Sequence, residues 1–316
     1  MKSIFNNSGS RSGARPPAAV ELSPQGVLAA ASPGPDQQPV YAFEPLPAGT
    51  LVPGIGEQNL RAPELVASAI RVALEQVSPR TRAVTLVVPD TVVRVFVLDF
   101  DALPAKAVEA IPVLRFRLRK MVPFEVEHAG VSYQVLVENN NECKVLAAVL
   151  PGPVLAEYEA AVREAGYEPG AVLPASLAAL GAVDSQEPVL AANLSAVALT
   201  TSITTGDDLL LYRTLDLPEE PGLRLKEVQH GVSVAAAYYE DKLGARPRFL
   251  YYAGIGAGGN SAAEDFAGWI FSPDSPSDPA LTVVDMAPRP ETGAATPLGN
   301  VVSLAGVTGA LAGASS

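Results

Sequence analysis

Ala83-Val84-Thr85-Leu86-Val87-Val88 is apolar over the length of a strand and stops at Pro89-Asp90. A strand with so little polar alternation is covered on both faces, and such strands sit in sheets layered with helices. The residues before it supply one helix. Pro63 to Val77 sets Val66, Ile70, Leu74 and Val77 on one stripe, and Pro63 suits a first helical position, where no N–H partner is needed. Further upstream, Ala18 to Leu22 and Gly26 to Ala31 read as two strands around a tight turn marked by Pro24 and Gly26, followed by a Pro-rich connector. The fold class is therefore α/β.

From Thr91 the pattern predicts a compact insert. It runs as a strand (Val92 to Leu98), a helix (about Ala105 to Met121), a strand (Val131 to Val137), a turn at Asn139-Asn140-Asn141, a strand (Lys144 to Val149) and a helix (Val154 to Ala165) ended by Gly166. Pro112 inside the first of these helices removes a backbone donor at a cost of ~3 kcal/mol, which predicts a kink or a late start. The second half opens like the first. Val189 to Leu194 and Ala196 to Ile203 form strands, Gly206-Asp207-Asp208 turns, and Leu209 to Tyr212 returns. A long helix from Leu223 to Leu243 ends at Gly244, and a buried strand from Phe249 to Ala253 runs into Gly254-Ile255-Gly256-Ala257-Gly258-Gly259. Ser272 to Ala280 reads as a mobile link, Leu281 to Asp285 as a short strand, and Ser303 to Leu311 as a final helix of small residues.

The 316 residues, 48% hydrophobic and 18% charged, suffice for two core-bearing lobes. A net charge of −12 excludes a general nucleic-acid binder, because releasing counterions from phosphates needs a cationic face. Met1 to Pro17, rich in Ser, Gly, Asn and Pro, reads as a flexible tail. Lys2, Arg11 and Arg15 precede no apolar run of signal-peptide length, and no stretch approaches the roughly 20 apolar residues of a membrane span. Membrane association is therefore expected through partners.

No catalytic constellation or metal set assembles from the pattern. His128 and His230 fall in different lobes, where surface or satisfied core positions are their ordinary roles. The single cysteine, Cys143, opens an alternating strand as a small apolar filler and fits a reducing compartment. Tyr238, Tyr239 and Trp269 read as core or inter-lobe residues. Arg115, Arg117, Arg119 and Lys120 form a basic cluster in an acidic chain, with Arg115 and Arg119 on one helix face. That cluster is either a solvated face or a contact for an acidic segment or anionic leaflet.

Several segments in this order resemble a known family: Val87-Val88-Pro89-Asp90, Leu103-Pro104, Arg115-Phe116, Pro123-Phe124 and Tyr133-Gln134-Val135-Leu136. Ala165-Gly166-Tyr167-Glu168-Pro169, Pro174-Ala175-Ser176-Leu177-Ala178 and Ala305-Gly306-Val307-Thr308-Gly309-Ala310-Leu311 continue it. The sequence resembles, across Val20 to Gly313, the PilM family of type IV pilus assembly, which has the actin-like (ribonuclease H-like) two-lobed fold of FtsA. The resemblance implies a first lobe from 18–90 and 171–187, an FtsA-type inserted subdomain over 91–170, and a second lobe over 188–316 that includes a terminal helix at 303–312. Its small subdomain is reduced to a short link after Arg213.

That resemblance also implies a site for ATP with Mg²⁺ between two phosphate loops and an adenosine loop. The first loop reads Val20-Glu21-Leu22-Ser23, keeping a carboxylate but replacing Gly with Ser; the second, Asn193-Leu194-Ser195, keeps neither. Gly254, Gly256 and Gly258 belong to the adenosine side, where a loop opens a helix. With that site degraded, the resemblance implies a cytoplasmic scaffold, peripheral to the inner membrane through partners, that holds the cytoplasmic N-terminal segment of a single-pass PilN-like protein. Arg115, Phe116, Arg119 and Phe124 are the candidate contacts. The alternatives are a working actin-like ATPase with Glu21 as its surviving metal-side carboxylate, and the related cytoplasmic domain of type II secretion.

Overall fold

The computed structural model describes residues 15–32, 34, 37–56, 58–139, 142–206, 208–254, 262–271, 280–287 and 302–312. The first sheet joins β1 (Ala18–Ser23), β2 (Gly26–Ala31), β3 (Val40–Pro45), β4 (Ala83–Val88) and β8 (Glu168–Pro174) in the order β3-β2-β1-β4-β8. Its first three strands form an antiparallel meander, and β4 and β8 run parallel to β1. Helix α1 (Pro63–Val77) buries the predicted stripe of Val66, Ile70, Leu74 and Val77, with Pro63 in its first turn. As the uninterrupted apolar run requires, β4 lies inside the sheet, between β1 and β8, and is buried from Val84 to Val88.

A second sheet repeats the plan. It joins β9 (Val189–Leu194), β10 (Ala198–Thr205), β11 (Asp208–Asp216), β12 (Phe249–Gly254) and β13 (Thr282–Asp285) in the order β11-β10-β9-β12-β13. Again three antiparallel strands precede two parallel additions. Helices α5 (Pro221–Leu243) and α6 (Ala262–Ile270) pack on it, and Gly244 ends α5 in the left-handed conformation at φ 66°. Only residues 217–220 separate β11 from α5.

The insert is a third sheet, β5 (Arg94–Phe100), β6 (Gly130–Glu138) and β7 (Cys143–Leu150), ordered β5-β7-β6 and antiparallel throughout. On one face, Leu98, Val145, Ala147 and Val149 pack against Ala110, Leu114 and Leu118 of α2 (Ala107–Leu118). The other face carries Leu146, Ala148 and Leu150 into the first lobe's core, with Leu209 of β11 in the same cluster. Pro112 lies within α2, which starts two residues later than the pattern predicts.

Several assignments differ from the sequence reading. Helix α3 (Gly152–Glu164), expected inside the insert, belongs to the first lobe, where Val154, Tyr158, Ala161 and Val162 join the core; β8, which straddles the expected boundary at residue 170, pairs with β4 of the same lobe. The terminal helix α7 (Ala305–Ala312), expected in the second lobe, returns to pack on α4 (Ala175–Leu180) and β1 of the first. Small residues permit that approach, since a Cβ on Gly309 would lie 1.9 Å from the Ala178 carbonyl oxygen. Arg15 to Pro17, expected in a flexible tail, are packed: Arg15 is buried and the Pro17 carbonyl accepts from Ser32 N–H at 3.0 Å. Residues 1–14 of that tail, the link at 272–279 and Asn140-Asn141 lie outside the described residues. Strand β3 was hidden in the connector by flanking prolines. Trp269, expected in the interior, is 37% exposed, and it is the Trp269 carbonyl that accepts from Gln229.

Candidate functional site

The central strands β1, β4, β9 and β12 all end at one cleft, with the starts of α4 and α7 completing its wall. Carboxyl ends of strands, where loops diverge, are where open α/β sheets place ligand sites. The cleft holds about 90 Å³ of space that water can enter, and most of its lining is apolar, with Leu22, Leu28, Leu194, Val197 and Val302 among it. Among the described residues no lysine or arginine lines it; its ionisable groups are Glu21 and Asp90.

Glu21 sits near the end of β1. Its Oε2 is enclosed and accepts no hydrogen bond within the protein. Helix α7 presses on that oxygen so closely that a Cβ on Gly306 would come within 2.2 Å of it. Burial, and next the charge of Asp90, push the Glu21 carboxyl up to about 8, which leaves it neutral near pH 7. Ser23 turns its hydroxyl back to the Gly26 carbonyl at 3.0 Å and so closes the hairpin rather than facing a ligand.

The second hairpin is closed in the same manner. Ser195 Oγ accepts the N–H groups of Ala198 at 3.0 Å and Val197 at 3.3 Å, while Arg224 of α5 donates to the carbonyls of Ser195 (2.9 Å) and Ala196. Asn193 stands at the same mouth. Gly254 allows β12 to approach β9, where a Cβ would lie 2.5 Å from the Leu194 carbonyl oxygen. Gly256 and Gly258 lie outside the described residues.

Asp90, in the turn after β4, is the best-satisfied polar group of the cleft. Oδ1 accepts Ser176 N–H at 3.0 Å and the Tyr212 hydroxyl at 3.1 Å, and Oδ2 accepts the Ser176 hydroxyl. Burial raises its pKa and these donors pull it back. The sequence reading quoted Asp90 and Ser176 as motif residues without a role and missed Tyr212 and Arg224. A polar residue directly after a buried parallel strand was the available signal.

A magnesium nucleotide needs an ionised carboxylate free to hold hydrated Mg²⁺ and N–H or cationic donors free for phosphate. Here one oxygen of the half-buried Glu21 is enclosed and its carboxyl is pushed up to about 8, Asp90 is saturated, and the amides of Val197 and Ala198 are taken by Ser195.

The candidate partner contacts do not converge. Arg115 donates to the Ala129 carbonyl at 2.8 Å, and Arg119 pairs with Glu127. Arg119 and Phe124 share one hollow beside Val122 and Pro123, whereas Phe116, 77% exposed, borders another with Val113, Asp99 and Asp101.

Two lobes of one strand order, closing on a cleft at their strand ends, define the actin-like class, here with an inserted three-stranded subdomain. The particular likeness is to a solved structure described as the PilM-PilN type IV pilus biogenesis complex. It has a TM-score of 0.66 and 17% identity, covering 85% of this chain and 88% of that one. Two others are less similar. The cytoplasmic domain of EpsL, an inner-membrane component of the type II secretion system of Vibrio cholerae, has a TM-score of 0.46, 14% identity and coverage of 75% and 81%. A Bacteroides thetaiotaomicron protein with an actin-like ATPase fold has a TM-score of 0.47, 11% identity and coverage of 84% and 90%. The sequence matches no protein-family model and no curated relative.

Proposed function

We propose that this chain is a non-catalytic actin-like scaffold in the assembly of a type IV pilus, working at the cytoplasmic face of the inner membrane. In this reading it holds the cytoplasmic segment of a single-pass PilN-like protein, and its cleft is no longer an ATPase site. The observation that supports the loss of activity is Glu21, whose Oε2 is enclosed beneath α7 and whose carboxyl is pushed up to about 8 where an ionised metal-side carboxylate is required. Likeness to the PilM of a PilM-PilN complex supports the pilus role. No helix among the described residues is long and apolar enough to cross a membrane, which agrees with attachment through a partner.

Calorimetric titration of the full chain with a peptide copying the cytoplasmic N-terminus of the single-pass membrane protein encoded beside it tests the proposal. Saturable binding of equal strength with and without Mg-ATP is expected. Absence of binding in both conditions would remove the scaffold reading and leave the fold alone.

A further inference from the structure

We infer that the two lobes are fastened by the chain's own side chains, through a latch centred on Asp90 that keeps the cleft closed without any ligand. This goes beyond the scaffold reading and does not depend on it. Asp90 and Ser176 belong to the first lobe and Tyr212 to the second, and Ser176 and Tyr212 donate to the one carboxylate. Thr200 pairs with Thr214 on the neighbouring strand, hydroxyl to hydroxyl at 2.9 Å.

The second-lobe hairpin is built for this contact. Along β10, Leu199 and Ile203 point into the core shared with α5, so alternation turns Thr200 and Ser202 to the opposite face. Across the ladder, Tyr212 pairs with Ser202 and Thr214 with Thr200, which places four hydroxyl-bearing side chains on that face. Thr200 and Ser202 are each under 4% exposed, and a buried hydroxyl without a partner is costly. Here Thr200 is paired with Thr214 inside its own lobe, and Tyr212 finds its acceptor across the lobe boundary.

A half-buried carboxylate at the floor of an apolar cleft requires donors from its surroundings. Ser176 supplies two from its own lobe, and separating the lobes would strip away the one from Tyr212. Leu209 adds an apolar contact to the same boundary by inserting into the first lobe's core. The closed state is thus the resting state.

Hydrogen exchange on the full chain without nucleotide reads the latch directly, comparing the wild type with Tyr212→Phe and Asp90→Asn. Both variants keep the side-chain volume; the first removes the cross-lobe donor and the second the charge it binds. Tyr158→Phe, which removes a buried hydroxyl with no partner inside the first lobe, is the control. Each latch variant should speed exchange about tenfold or more at the amides of residues 193–198 and 209–216, while β4 and β8 and the control stay within about twofold, as expected for a lost hydrogen bond to a charged acceptor. Rates unchanged in both variants, or raised equally throughout the chain, would overturn the latch. Should Tyr212→Phe fail to fold, Asp90→Asn alone decides.

Discussion

Replacing Glu21 with glutamine should make the protein more stable, and more so as pH rises. In the native state the carboxyl titrates at about 8 rather than at its ordinary 4.5, so the folded protein holds this proton more tightly than the unfolded chain does. Stability linked to it is complete below about pH 4.5, declines as pH rises between the two values, and is lost above about pH 8. At ~1.36 kcal/mol per decade the full span is ~4.8 kcal/mol, and relaxation around the new charge reduces the expected loss to ~2 to 4 kcal/mol. Glutamine retains the shape and cannot ionise, so the variant lacks this decline. Urea unfolding of both proteins at about pH 5 and about pH 8.5, analysed by midpoint at constant slope, separates the effect from other titrations. The gap between variant and wild type should widen at the higher pH. Parallel pH profiles would refute the assignment of a neutral Glu21.

Other outcomes follow from the same packing. Gly309→Ala forces a Cβ to within 1.9 Å of the Ala178 carbonyl oxygen, which is backbone and cannot swing aside. A loss of ~3 kcal/mol, the upper range for overpacking, is expected by chemical denaturation. Arg224→Ala leaves the carbonyls of Ser195 and Ala196 without their charged donor, and should cost ~1 to 3 kcal/mol while speeding amide exchange at the 195–198 turn. Phe116→Asp, at a side chain 77% exposed, should leave the unfolding midpoint within ~0.5 kcal/mol of wild type; a larger loss would mean that Phe116 packs in solution.

Much of the fold was legible because it lies in local pattern. The apolar runs at Ala83 to Val88 and Val189 to Leu194 became β4 and β9 with the same bounds, and the α1 stripe is the buried one. What the pattern does not carry is which distant surfaces meet. Periodicity marks α3 as amphipathic but not that its apolar face turns to the first lobe, and the small residues of α7 suit close packing against either lobe. Strand β3 was missed because Pro39 and Pro45 bracket a run that alternates only weakly.

The site divides similarly. Glu21, Ser23, Asn193, Ser195 and Gly254 line the cleft. Their states could not be read from the motifs, because Glu21 is neutralised by α7 and Asp90, groups 285 and 69 positions away. Likewise Tyr212 lies 122 positions from the carboxylate it binds.

Isothermal titration of the full chain with Mg-ATP tests the claim of a disabled cleft most directly. The account predicts no saturable heat at millimolar nucleotide, with Glu21→Ala behaving as wild type. Binding in the low micromolar range that disappears in Glu21→Ala would contradict it and make the cleft a working nucleotide site.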